Sequence, residues 1–128
     1  MITGIEHIAV CSKNTKALTD WYVKMFGFKV VYDNGKGTYF VAAEDGSMIE
    51  VMSADTDGPT PTPNLEGIRH FALSVEYDKF DDMVAALKAE GAPVVTEATT
   101  SSKGVKTFFF RDIDGNIFHL IARLSPLY

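Results

Sequence analysis

The amino-acid sequence predicts an α+β fold of two β-α-β-β-β modules in tandem, with mixed sheets forming a concave cleft. Three observations lead there. A short strand pattern carrying a histidine occurs twice, as "GIEHIAV" at residues 4–10 and "GIRHFALSV" at residues 67–75. Each copy is followed by apolar residues on a helical period. Each half then closes with an Asp-Gly turn between strand-like runs. Repetition at a fixed offset, 63 residues from His7 to His70, is what a duplicated structural unit leaves in a sequence.

The elements follow in order. After the first strand, "TKALTDWYVKMFGF" places Leu18, Trp21, Tyr22, Met25 and Phe26 on one face of a 3.6-residue period. After the second, "DKFDDMVAALKAEGA" does the same with Phe80, Met83, Val84 and Leu87. Each helix is expected to end at a glycine, Gly27 or Gly91, the residue that accepts the left-handed terminating conformation. A valine-rich strand comes next, "KVVYD" or "PVVTE". A hairpin completes each copy, "TYFVAAEDGSMIEVM" in the first and "VKTFFFRDIDGNIFHLI" in the second, with Asp-Gly as the turn signal. Aligning the two hairpins sets Glu50 on His119 at an offset of 69, six more than before. The extra residues fall in or near "TEATTSSKG", expected to be a polar loop. The modules then span residues 1–53 and 67–128 within a single 1–128 domain. The proline-rich "SADTDGPTPTPNLEG" supplies a surface linker over 54–66.

Strand alternation brings the chemistry into view. Side chains two apart share a face, so His7 lies with Ile5 and Ala9, and His70 with Ile68 and Ala72. Glu50 lies with Met48 and Met52, and His119 with Ile117 and Ile121. The intervening residues, such as Ile8, Val10, Phe71 and Leu73, meet the helices. A single histidine in a β-rich core is ordinarily a hydrogen-bonded structural residue. Here all three histidines of the chain occupy repeat-equivalent positions, and the fourth position holds a carboxylate. Imidazole and carboxylate together form the donor set of divalent transition metals, and a buried charge such as Glu50 is costly unless paired or ligating. His7, Glu50, His70 and His119 are therefore the candidate metal ligands. Cys11 has no nucleophile motif around it and is expected to be a small core or edge residue. The Asp-Gly segments lack the alternating oxygen ligands of a calcium loop.

Bulk properties exclude several classes. The chain has 128 residues, 46% hydrophobic and 23% charged, with a formal charge of −5. That is one globular domain, acidic and without a clustered basic face, so no nucleic-acid partner is expected. No apolar run reaches the roughly 18 residues of a membrane span, and the first residues lack a signal-peptide pattern. One cysteine suits a reducing compartment, and a cytoplasmic location is expected.

"EHIAV", "IRHFALSV" and "FRDIDGNIFHLI" within paired β-α-β-β-β modules resemble the vicinal oxygen chelate superfamily of glyoxalases, bleomycin resistance proteins and extradiol dioxygenases. The resemblance implies the glyoxalase-like fold over nearly the whole chain, with ligands at His7, Glu50, His70 and His119. It implies a divalent transition metal, Ni, Co, Zn, Mn or Fe, and a small-molecule substrate bound through two neighbouring oxygens. It also implies a homodimer, since each module offers half of a ligand set. The final ligand position is usually glutamate in that family and is histidine here. Proton transfer is therefore expected to pass to Glu50, in a glyoxalase-like lyase or isomerase. A ring-cleaving or other iron(II) dioxygenase, using His7, His70 and Glu50, is the main alternative, and fosfomycin-type epoxide opening is a third. The non-enzymatic alternative is a metal-free drug-binding protein with a groove lined by Trp21, Phe108 or Phe110. Arg69, Lys106 and Arg111 are candidates for neutralising a substrate anion, although alternation would turn Arg69 away from the His70 face.

Overall fold

The computed structural model describes residues 1–59, 64 and 66–127. The chain divides into two compact units, Met1–Gly58 and Pro59–Tyr128. Of the expected linker 54–66, residues 60–63 and 65 lie outside the described residues.

The first unit runs β1 (His7–Ser12), α1 (Thr15–Phe26), β2 (Lys29–Asp33), β3 (Tyr39–Ala42) and β4 (Met48–Ser53). Its sheet has the order β1-β4-β3-β2, with β1 and β4 parallel and the other pairs antiparallel. A parallel neighbour cannot be reached through a tight turn, so everything between β1 and β4 serves as the crossover. Helix α1 begins where the Asn14 side chain accepts a hydrogen bond from the Ala17 amide at 3.1 Å, satisfying a donor that a helix start leaves unpaired. It ends at Gly27, whose φ of 70° is left-handed and whose N–H donates to the Val23 carbonyl. The helix packs on β3 and β4. Leu18, Tyr22, Val41 and Val51 on these elements are fully buried.

The second unit repeats the plan with β5 (Phe71–Ser74), a 3₁₀ turn (Tyr77–Lys79), α2 (Phe80–Ala89), β6 (Val94–Thr100), β7 (Lys106–Arg111) and β8 (Ile117–Ala122). The sheet order is β5-β8-β7-β6, with β5 and β8 parallel. Phe80, Leu87, Phe108, Phe110, Phe118 and Leu120 form the buried core. Two mixed four-stranded sheets, each with its helix, make the glyoxalase-like α+β fold.

One expectation changes in detail. The segment read as a polar loop is mostly strand, because β6 continues to Thr100 and pairs with β7 as far as Thr100 opposite Lys106. The extra residues lengthen a hairpin, accommodated by register shifts between Val94 and Thr99. Threonines at 96, 99 and 100 suit an exposed strand as well as a loop. Helix α2 stops at Ala89 with Glu90 as its cap, and Gly91 follows in the expected left-handed conformation (φ 85°), its N–H donating to the Lys88 carbonyl at 3.0 Å.

Candidate metal centre

In the first unit the parallel β1/β4 pairing sets Ala9 opposite Glu50 and His7 opposite Met48. Val10 and Ser12 are buried, while His7, Ala9 and Cys11 are exposed on the other face. This alternation places His7 and Glu50 together, with His7 Nε2 3.6 Å from Glu50 Oε1. That separation is too long for a hydrogen bond. The other ring nitrogen is engaged: Nδ1 lies 2.7 Å from Glu6 Oε1. A carboxylate only accepts, so Nδ1 carries the proton. In the neutral ring Nε2 is then a lone pair facing a carboxylate oxygen. Two acceptors facing across that gap are complementary to a cation. Phe40 is paired with Glu50 across β3/β4 and meets the His7 ring edge-on at 5.1 Å.

The second unit mirrors this. His119, on β8, is opposite Ala72 of β5 and Phe109 of β7. His70 immediately precedes β5, and its ring centroid is 4.6 Å from that of His119. Phe109 contacts both rings, at 5.4 Å from His70 and 4.3 Å from His119. His119 is 8% exposed, and its Nδ1 is buried with no hydrogen-bond partner, an uncommon state for an interior polar atom. Burial, followed by the charges of His70, Arg69 and Arg123, pulls the His119 pKa down to about 4. Burial and then Arg69 also lower that of His70. Both imidazoles are thereby held neutral at pH 7, the state in which a histidine donates to a metal.

The four expected ligands thus stand as two pairs, one in each unit. Among the described residues, no three His, Cys, Asp or Glu side chains form a group that could hold a metal ion. Each pair brings two potential donors together. Neutral imidazoles, a carboxylate and an unpartnered buried nitrogen fit a divalent transition metal by their chemistry.

Several secondary expectations are revised. Arg69 does not turn away from His70: its Nη1 donates to His70 Nδ1 at 3.0 Å, and its guanidinium lies over Phe109. Residues 68–70 precede β5 and are not in a strand, so alternation does not govern Arg69. Phe108, Phe110 and Trp21 are buried core residues and do not line an open groove. Lys106 lies over the Tyr77 ring, and Arg111 donates to the Gly115 carbonyl, so both have structural work. Cys11 is exposed on the edge strand β1. Sequence reasoning missed Phe40 and Phe109, although the hairpin offset of 69 that paired Glu50 with His119 pairs these two as well.

The sequence profile of the glyoxalase/bleomycin resistance protein/dioxygenase superfamily matches residues 4–120. The chain belongs to this superfamily. It is 22% identical over 127 residues to the fosfomycin resistance protein FosX of Listeria monocytogenes, covering 95% of this chain and 91% of that one. It is 26% identical over 124 residues to biphenyl-2,3-diol 1,2-dioxygenase 3 of Rhodococcus globerulus, covering 91% of this chain and 61% of that one. A point mutant of the Listeria protein, solved with Mn(II) and 1S,2S-dihydroxypropylphosphonic acid, superimposes with a TM-score of 0.81 at 23% identity, over 96% of this chain and 94% of that one. A glyoxalase/dioxygenase from Nostoc punctiforme gives 0.83 at 15% identity, over 95% and 92%. These structural likenesses establish the shared fold. No helix among the described residues is long and apolar enough to cross a membrane.

Proposed function

We propose that this chain is a divalent-metal-dependent enzyme acting on a small substrate with two neighbouring oxygens, by glyoxalase-like lyase or isomerase chemistry. His7, Glu50, His70 and His119 would hold the metal, in a protein expected to form a homodimer. The observation that carries this reading is the state of the pairs. His7 and Glu50 face each other across 3.6 Å with no hydrogen bond between them, and His119 keeps a buried nitrogen unpartnered beside His70.

When bound, the metal supplies Lewis acidity toward the substrate oxygens. The remaining work belongs to the protein. Glu50 is the side chain of the set that can take a proton from carbon next to a carbonyl and return it to the neighbouring carbon. Its side chain is 21% exposed, shielded enough to limit exchange with water yet open to a substrate. Phe40 and Phe109 place an apolar ring beside each pair and limit water there. Arg69, beside His70, favours a substrate with an anionic substituent. The phosphonate in the Listeria complex is of that class.

The test is turnover by the purified protein loaded with Mn(II), Ni(II), Co(II), Zn(II) or Fe(II). Substrates would be a glutathione hemithioacetal, a catechol and the phosphonate epoxide fosfomycin. Activity with any of them that Glu50→Gln reduces at least about 100-fold, with metal content retained, supports Glu50 as the base. Full activity of Glu50→Gln removes it from that role. Oxygen uptake only with Fe(II) and the catechol would move the assignment to a dioxygenase. Absence of bound metal, with no thermal stabilisation by any of these ions, would leave a metal-free binding protein. Gel filtration at the mass of one chain would count against the homodimer.

A further inference from the structure

The residue before each first-strand histidine differs in charge between the repeats. Glu6 precedes His7 and Arg69 precedes His70, at the same offset of 63. Both side chains reach the same atom of the histidine that follows. Glu6 Oε1 is 2.7 Å from His7 Nδ1, and Arg69 Nη1 is 3.0 Å from His70 Nδ1. A carboxylate can only accept and a guanidinium can only donate. The two contacts therefore demand opposite protonation of Nδ1. His7 must carry a proton on Nδ1, which leaves Nε2 as the lone pair that faces Glu50. His70 must present a lone pair at Nδ1, so in its neutral form the proton resides on Nε2.

We propose that Glu6 and Arg69 are positioning residues that hold the two repeat-equivalent histidines in opposite tautomers. The His7–Glu50 pair is thereby ready to receive a cation, while the His70–His119 pair is held back until Arg69 leaves His70 Nδ1. A carboxylate behind a ligating imidazole fixes the ring and raises its donor strength. A guanidinium in the same place ties up one ring nitrogen and leaves the other protonated. The consequence is an order in cation binding: the first pair responds at lower cation concentration, and the second responds once Arg69 is released. An anion near the site that draws Arg69 toward itself would favour that release, so cation and anion binding are positively coupled. The ordering rests on the metal reading proposed above, whereas the tautomers do not.

The tautomers are read from long-range ¹H–¹⁵N correlation spectra of the metal-free protein at about pH 8, above the ordinary imidazole range. His7 is expected with its proton on Nδ1 and His70 with its proton on Nε2. Glu6→Ala should move the His7 proton to Nε2, and Glu6→Gln, which keeps an acceptor oxygen, should restore it to Nδ1. Arg69→Met should shift the His70 Nδ1 resonance to that of an unbonded acceptor, leaving His7 unchanged. His7 protonated on Nε2 in the native protein, or unmoved by Glu6→Ala, would overturn the proposal. So would a His70 Nδ1 resonance indifferent to Arg69→Met. Titration with Zn(II) in the same spectra then tests the order. His7 should respond before His70 in the native protein, and the two should respond together in Arg69→Met. Glu6→Ala should weaken Zn(II) binding by about 10- to 100-fold. If no histidine responds to Zn(II) while the tautomers are as expected, the metal reading fails and the positioning roles stand.

Discussion

At the scale of the residue, His119 shows how position changes chemistry. Its ring lies against those of Phe109 and His70, and burial is the first reason its pKa falls to about 4 from the ordinary 6.5. The folded chain therefore takes up this proton less readily than the unfolded chain does. The stability associated with neutral His119 is fully present above the ordinary imidazole range and is lost as pH falls from there toward about 4. With EDTA present, the urea midpoint should drop between about pH 7 and about pH 4.5, and His119→Phe should flatten part of that drop. An unchanged slope in the variant would mean that His119 is not the titrating group. The candidate ligands were legible in sequence because duplication acts on single residues, with alternation adding its reading only for His7, Glu50 and His119, which lie inside strands. Arg69 was not, because alternation holds only inside a strand, and residues 68–70 lie just outside β5. Its contact with Phe109 comes from a strand forty residues further along the chain.

At the scale of the element, the β7–β8 turn determines where His119 points. Asp112 is 2% exposed and accepts hydrogen bonds from the Asp114 amide, the Asn116 amide and the Asn116 side chain, each at 2.9 Å. Gly115 beside it has a φ of 90°, which a side chain rarely tolerates. Replacing the carboxylate leaves three donors without their acceptor. Asp112→Ala should cost about 3 kcal/mol in urea unfolding and should loosen the register that sets Phe109 against His119. On the first unit, Leu18→Ala in α1 opens a cavity under a fully buried position and should cost about 3 kcal/mol. It should leave the histidine tautomers unchanged, because α1 covers the opposite face. Both helices were legible from periodicity. The length of β6 was not, since Thr and Ser serve edge strands and loops alike, and only pairing with β7 distinguishes them.

At the scale of the whole molecule, duplication made the fold readable. A repeat of strand, helix and hairpin at offsets of 63 and 69 fixes which strands begin and end each sheet. The reaction is less readable, because it depends on what substrate these residues meet. Thermal stability offers a test at this scale. A divalent ion present at about 100 times its dissociation constant adds about 2.7 kcal/mol, which for a chain of this length raises Tm by about 10 °C. His7→Ala and His119→Ala should each abolish most of that rise if the pairs serve one site. Retention of half the rise in each would indicate two independent sites.

The parallel pairing of β1 with β4, and of β5 with β8, bears on how the protein is made. In each unit one member of the donor pair belongs to the opening strand or the residue before it, and the other to the closing strand. During synthesis the ribosome releases His7 long before Glu50, and His70 long before His119. A nascent half therefore holds no donor pair until its last strand has inserted beside its first. That is a non-local contact of the kind that forms late and slowly. A metal ion could not nucleate such a half. On the metal reading proposed above, it would bind only finished halves and draw the population toward them.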